Sequence, residues 1–419
     1  MDLAAAVADV SSFFFVNKAC YRRTEEIGTV WHFFRENHWT EASAASAADV
    51  VVLFTCAFCQ SKTTDMLQEL GRLQPALKPG AELIVGCCLP KIDPERLRTV
   101  FSGRVIHSSN FSALDSLPGV HTPFSAIIKK YGDTAVCVSD EEDARGLTKQ
   151  SSAKHRLART AVSLIRSACR MAGVRRPPEP SSDKVRYILL AAGCRRQCSY
   201  CAIRFATGRL RSKPLDWVLW QFRDSLDKGC GKFELLADSI GDYGLDIGTD
   251  LGELFRQLLA MPDRFTVGIY DLHPSSFLKH FDDILALGQA GKIHRLSVPF
   301  QSGNERIVKL MNRPCDGRDL MEKLLQMKGI GGIFLHTAVI IGFPTETDAE
   351  FEDTLSFLKS VDFDDTAVHF HSDMPGTKSA AMDGKITKQF MRGRLNALLA
   401  AGIKNNLADT QHELDNIPD

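Results

Sequence analysis

No sign of charge predominates in this sequence: 51 lysines and arginines balance 51 aspartates and glutamates, for a formal net charge of zero. That balance excludes a protein-wide basic field for drawing in nucleic acid, so any RNA partner has to be held by a local patch. No run approaches the roughly 20 consecutive apolar residues that a membrane-spanning helix requires. The opening stretch, MDLAAAVADVSSFFFV, carries Asp2 and Asp9 and has no basic leader, which argues against a secretory signal. The expected compartment is the cytoplasm, with no membrane involved, and thiols are kept reduced there.

What the chain does have is cysteine. Twelve occur in 419 residues, against an otherwise ordinary globular composition of 44% hydrophobic and 24% charged residues. In a reducing compartment, clustered cysteines point to metal or catalysis rather than to a disulfide framework. Cys137, Cys169, Cys230 and Cys315 stand alone and read as small buried hydrophobes. The remaining eight fall near the ends of strand-like runs or in one compact loop.

Four stretches follow from composition and periodicity. Residues 1–138 alternate short apolar runs, Phe13 to Val16, Val50 to Phe54 and Glu82 to Gly86, with helical segments at Arg22 to Asn37 and Lys62 to Leu77. This alternation predicts an open parallel-sheet α/β domain. Cys20, Cys56 and Cys88 each follow one of its three runs, at the carboxyl ends where such sheets form their binding crevice. They are either scattered core cysteines or a converging trio. Residues 139–183 form an insert that opens on SDEEDARG and closes on RRPPEPSSD. It holds a predicted helix with apolar Leu157, Ala161, Leu164, Ile165, Ala168 and Met171 on one face and Lys154, Arg156, Arg159, Arg166 and Arg170 on the other. That basic face is either a plain solvated surface or a rim for an anionic or peptide substrate.

Residues 184–385 return to strand–helix alternation, with runs at Val185 to Ala191, Lys232 to Ala237, Phe265 to Tyr270, Arg295 to Phe300, Phe334 to Ile340 and Thr366 to His371. Six such units predict a partial (βα)6 TIM-like barrel, whose sites gather at the carboxyl ends of the strands. Residues 386–419 read as a helical tail.

Just after the first barrel strand, GCRRQCSYCAIRF sets Cys194, Cys198 and Cys201 at C-x3-C-x2-C spacing. Three thiolates on one loop can hold three irons of a [4Fe–4S] cube and leave the fourth open to a small chelating molecule. Structural zinc usually takes four ligands, and this loop has no fourth Cys or His to close a tetrahedron.

The segments GCRRQCSYCAIRFATGRLRSKPL, LLADSIGDYGLDIGTDL, VPFQSGNERIVKLMNR, IIGFPTETDAEFEDTL and HSDMPGTKSAAM appear in this order. Together they resemble the motifs of the radical S-adenosylmethionine (SAM) methylthiotransferase family, whose members modify tRNA adenosines and a ribosomal-protein aspartate. The resemblance spans most of residues 13–410 outside the insert. It implies two [4Fe–4S] clusters and SAM as cofactors. The catalytic cluster would sit on Cys194, Cys198 and Cys201, and an auxiliary one on Cys20, Cys56 and one of the adjacent pair Cys87 and Cys88. Cys88 is the choice that keeps the downstream LPKIDPERL in register with the family; Cys87 is the alternative. Cys59 is unmatched. The same resemblance places Tyr200, Asp238, Gln301, Ser302, Arg313, Gly342 and Phe343 in the SAM pocket. Asp238 is also readable as a helix cap, and Arg313 as the partner of a neighbouring acid instead of a SAM carboxylate.

The chemistry implied by the resemblance is transfer of a methylthio group to an unactivated C–H. The reduced catalytic cluster cleaves SAM to a 5′-deoxyadenosyl radical, and a second SAM methylates the sulfur carried by the auxiliary cluster. An electron donor such as flavodoxin or ferredoxin is implied as a partner. The family's tRNA enzymes carry a C-terminal β-barrel RNA-binding domain, for which the sequence leaves no room before Asp419. The expectation is therefore a peptide or natural-product substrate ahead of RNA. Two other outcomes stay open: a radical SAM enzyme whose auxiliary cluster relays electrons or binds substrate, and a non-enzymatic iron–sulfur carrier or sensor.

Overall fold

The computed structural model describes residues 11–131 and 181–417. Most of the insert, including the basic helix expected over 154–171, lies outside the described residues, as do Cys137 and Cys169. Among the described residues, no helix is long and apolar enough to cross a membrane.

The first sheet has five parallel strands in the order β2-β1-β3-β4-β5: β1 (Ser12–Asn17), β2 (Thr40–Glu41), β3 (Val50–Thr55), β4 (Glu82–Cys87) and β5 (Arg104–Ile106). All six residues of β3 are buried. A parallel strand covered on both faces reads as an unbroken apolar run, which VVVLFT nearly is. Helices Thr24–Glu36 and Gln60–Leu73 provide the cover. One face is aromatic: Phe13 stacks on Phe34 with centroids 4.8 Å apart, and Phe15 meets Phe54 edge-on at 4.9 Å. The chain runs from β1 to one side and then back to β3 on the other, so the topological switch point lies between β1 and β3, the strands that lead into Cys20 and Cys56.

The second sheet has seven strands in the order β12-β11-β10-β9-β8-β6-β7. β6 (Ser181–Ala192), β8 (Cys230–Ala237), β9 (Thr266–Ile269), β10 (Ile293–Ser297), β11 (Phe334–Ile341) and β12 (Asp365–Phe370) are parallel and follow chain order. β7 (Arg211–Ser212) adds an antiparallel edge against Ala191 and Ala192. Each of the six predicted barrel runs overlaps one of these parallel strands. Helices between them close a single apolar core that includes Phe233, Phe255, Phe277 and Phe300. Their starts are well capped: Asp250, Asn304 and Asp316 accept from backbone N–H groups of the first turn, and Thr347 with Glu350 forms a capping box. Helices Lys388–Ala400 and Leu407–Asp415 follow β12. The architecture is the expected one, an open parallel α/β sheet followed by a six-unit partial barrel.

The two lobes meet through buried and half-buried polar contacts. Arg23 pairs with Asp238, Arg22 with Asp271 and Lys213 with Glu25, while the rings of Tyr21 and Tyr187 stack at 5.1 Å. The Gln60 side chain donates to the Asp373 carbonyl over 3.1 Å, and Asp65 meets His412 at 2.9 Å. Ala202, Ala206 and Met374 of the barrel join an apolar cluster of the first lobe.

Phe54 is fully buried at the centre of the first lobe. Its replacement by alanine is expected to cost about 3–5 kcal/mol, read as an earlier denaturant transition of the N-terminal lobe.

Candidate active site at the junction of the two sheets

A cavity of about 910 Å³ lies between the carboxyl ends of the two sheets. Its size is at the upper end of the roughly 300–1,000 Å³ typical of small-molecule sites. Cys20, Cys56 and Cys88 line it from one side, Cys194 and Cys201 from the other. Cysteines of both lobes thus face the same space.

The barrel-side loop is shaped by its backbone. Gly193 has φ +86°, and a Cβ there would lie 2.0 Å from the Arg209 carbonyl oxygen, so only glycine fits. Cys194 N–H donates to the Gly208 carbonyl at 3.1 Å, Ser199 N–H to the Met311 carbonyl at 3.0 Å, and Ser379 N–H to the Ser199 carbonyl at 2.8 Å. The Asn312 amide donates to the Gln197 carbonyl at 2.9 Å. Cys198 is the innermost of the three, and an Arg313 guanidinium N–H points at its sulfur over 3.4 Å. Burial pushes the Cys201 thiol up to about 11, with the neighbouring Cys198 adding to the rise and the Ile203 N–H opposing it. Cys194 is raised by burial too.

On the facing lobe, Cys20 follows β1 and is exposed, while Cys56 and Cys88 are buried. Burial raises Cys56 to about 11 and Cys88 well above the ordinary thiol range, and Cys20 adds to both. The adjacent pair Cys87 and Cys88 is separated by backbone conformation. Cys87 adopts φ +71° and turns into the aromatic core beside Phe54 and Ile84. Cys88 turns the other way, onto the cavity wall. Cys59, unmatched by the sequence resemblance, also lines the cavity.

Of the residues expected in a SAM pocket, Tyr200, Asp238, Gln301 and Arg313 line this cavity. Gln301 has φ +72°, unusual for a non-glycine residue. Its backbone is paired to β11, with N–H donating to the Ala338 carbonyl at 3.0 Å and carbonyl accepting from Ile340 N–H at 2.9 Å. Its side-chain Oε1 is buried with no partner. Arg313 is 8% exposed; it donates to the Pro299 carbonyl at 2.9 Å, and its Nε has no partner. Among the described residues it meets no carboxylate, so it is not the half of a simple ion pair. Asp238 caps no helix; it pairs with Arg23 and accepts from Gly193 N–H at 2.8 Å.

Ser302, Gly342 and Phe343 are one layer behind the wall. The Ser302 hydroxyl lies 3.2 Å from that of Thr354. Gly342, at φ +77°, donates to Glu346 at 2.9 Å, and Phe343 sits in a small core with Ile307, Met311 and Ile340. Arg23, His371 and Met374, not singled out in the sequence, line the cavity as well. Adjacency to Cys20 was the one available signal for Arg23; the other two had none.

The donor set suits iron–sulfur ligation. The barrel lobe contributes three cysteines with no paired fourth ligand of the zinc type, while the first lobe lines the cavity with Cys20, Cys56, Cys59 and Cys88. Among the described residues, no three His, Cys, Asp or Glu side chains close around a point for a single ion. The unpartnered Gln301 Oε1 and Arg313 Nε supply one acceptor and one cationic donor, which match an ammonium and a carboxylate.

Comparison with known proteins gives concordant results. Residues 188–358 match the radical SAM superfamily, and residues 13–106 match a family described as "Uncharacterized protein family UPF0004". The chain is 26% identical over 415 residues to the ribosomal protein uS12 methylthiotransferase RimO of Chlamydia felis, covering 95% of this chain and 80% of the relative. It is 27% identical over 374 residues to a tRNA-2-methylthio-N(6)-dimethylallyladenosine synthase of Acetivibrio thermocellus, covering 87% and 70%. A solved radical SAM methyltransferase, TsrM of Kitasatospora setae, superposes with TM-score 0.55 at 14% identity over 88% of this chain and 73% of that one, a likeness of fold.

His371 is buried at the cavity wall against Phe343, with Nε2 2.8 Å from the Ser379 hydroxyl. Burial lowers its pKa from 6.5 to about 4. A depressed folded-state value means the contribution is complete above 6.5 and disappears as pH falls toward 4, up to about 3 kcal/mol. The melting temperature is expected to drop across that window, and His371→Gln is expected to flatten the drop.

Proposed function

Because this chain belongs to the radical SAM methylthiotransferase family, we propose that it places a methylthio group on an unactivated C–H bond, using one [4Fe–4S] cluster on Cys194, Cys198 and Cys201 and a second on Cys20, Cys56 and Cys88. The enzyme is a transferase that uses SAM and [4Fe–4S] chemistry, as its family does. The reading of two clusters rests on one observation: Cys20, Cys56 and Cys88 border the same cavity as Cys194 and Cys201, with Cys198 just behind against Arg313. A sulfur donor and a C–H activating centre have to reach one substrate atom, and a shared chamber meets that need.

When bound, the clusters and SAM supply the one-electron cleavage, the sulfur and the methyl group. The residues of the chain bind, orient and exclude water. Arg313 sets a buried positive charge against Cys198 and keeps its Nε free for a carboxylate. Gln301 offers a fixed acceptor, held by strain and strand pairing, for an ammonium or a ribose hydroxyl. Tyr200, with its hydroxyl kept neutral by burial, forms an apolar floor with Phe343 and Ile340. Gly193 lets the loop turn tightly enough to present all three sulfurs.

The acceptor we favour is a peptide or a natural product over RNA. Among the described residues, cations on the cavity rim are already engaged: Lys18 with Glu69, Lys62 with Asp65, Arg22 with Asp271. Phosphate binding relies on clusters of free cations. A low-potential donor of the flavodoxin or ferredoxin kind completes the electron path, and a cytoplasmic setting keeps the thiols reduced. We retain as a proposed division 1–138, 139–183, 184–385 and 386–419. Cys59 favours a second reading, in which a fourth thiol closes the auxiliary cluster and turns it into an electron relay.

Cys198→Ala is expected to abolish 5′-deoxyadenosine formation from SAM and dithionite; undiminished production would reassign the site. Cys56→Ala should spare that cleavage and stop product formation, with mass spectrometry of peptide and RNA substrates seeking a gain of SCH3 in place of H. If Cys59→Ala stops electron delivery and no SCH3 product forms in wild type, the relay reading holds instead. Gln301→Ala is expected to raise the KM for SAM about tenfold or more, the loss of one well-placed hydrogen bond at about 1.5 kcal/mol.

A further inference from the structure

Arg23 occupies an unusual position. It lies three residues after Cys20, and its side chain is only 4% exposed. One guanidinium nitrogen donates to Glu26 at 3.0 Å and another to Asp238 across the lobe boundary. Asp238 is 2% exposed, and its second oxygen accepts from Gly193 N–H at 2.8 Å. Gly193 directly precedes Cys194, in the turn that admits no other residue. The same guanidinium lies within electrostatic range of Cys88. A continuous chain of contacts therefore runs from the Cys20 and Cys88 side of the cavity, through one buried cation and one buried carboxylate, to the backbone beside Cys194.

We propose that Arg23 is a positioning residue that locks the two cysteine loops to each other and biases the electrostatics of the Cys20–Cys56–Cys88 side. This deepens the two-cluster reading and rests on it for its second half. The physical case has two parts. A buried carboxylate is tolerated when it is paired and its remaining lone pairs are used, and Arg23 and Gly193 meet both needs of Asp238. The loop register at Cys194 is thus set by a residue of the other lobe. Second, a buried cation beside cluster-ligating sulfurs favours the more negative, reduced state and so raises a cluster's potential.

The test uses the full chain and three variants: Arg23→Gln, the conservative Arg23→Lys, and Arg23→Gln with Asp238→Asn. The double variant does not strand the Asp238 carboxylate at the lobe boundary, so it reports on the bridge even if the single one fails to fold. Hydrogen exchange of the peptide spanning residues 191–198, measured without clusters, is expected to quicken about tenfold or more in Arg23→Gln and in the double variant. Arg23→Lys is expected to recover part of that protection. After reconstitution in a Cys198→Ala background, loss of the cation is expected to move the remaining cluster's midpoint potential downward. In the otherwise wild-type enzyme, the same loss should raise the number of SAM molecules cleaved per methylthio product severalfold. Unchanged exchange at 191–198, or a potential that does not move, overturns the proposal. Failure of the two-cluster reading is distinguishable: wild type would then hold about four irons per chain instead of about eight, while the exchange measurement still decides whether Arg23 holds the Cys194 loop.

Discussion

In a parallel sheet every strand releases its chain at the same edge, and this constraint organises the whole molecule. In the first lobe it puts Cys20, Cys56 and Cys88 on one rim, after β1, β3 and β4. In the barrel it puts the Cys194 loop, Asp238, Asp271, Gln301 and His371 on another, after β6, β8, β9, β10 and β12. Docking the two rims against each other is enough to create a chamber with chemistry on both walls. Had either lobe turned its amino-terminal edge to the other, its cysteines would lie on the far side of that lobe, away from the other trio.

Docking the rims carries an electrostatic cost, because polar groups leave water. Arg23 and Asp238 offset it by pairing, and apolar Ala202, Ala206 and Met374 add burial around them. The interface is therefore specific as well as adhesive: a misaligned lobe leaves a carboxylate unpaired in a dry setting. Strain is concentrated at the same place. Gln301 and Cys87 hold left-handed backbone, each at a cost on the order of 1–3 kcal/mol. Strand pairing over-determines the first, and an aromatic core the second.

Legibility from sequence differed by element for physical reasons. The apolar run Val50 to Phe54 showed its strand because burial on both faces demands unbroken hydrophobicity. The edge strands Thr40–Glu41 and Arg211–Ser212 escaped notice; two residues carry no periodicity, and solvent imposes no apolar pattern on them. The cysteine loop was readable because its three thiols are close in sequence on one turn, whereas Cys20, Cys56 and Cys88 are brought to one rim only by the sheet. Asp238 was readable as a strand-end acid, whereas its partner was not, since an ion pair between residues 215 apart leaves no trace in spacing.

By itself the sequence determined the alternation of strands and helices, the split into two sheets, and the three-cysteine loop that implies an iron–sulfur centre. These follow from local rules, hydrophobic period and ligand spacing, which the chain must satisfy wherever it folds. Tertiary structure decided which of Cys87 and Cys88 faces the cavity, which pocket candidates touch it and which only support it, and that both thiol groups share one space. Those outcomes depend on backbone conformation at single residues and on how two rims meet, and neither is encoded in any contiguous stretch of the chain.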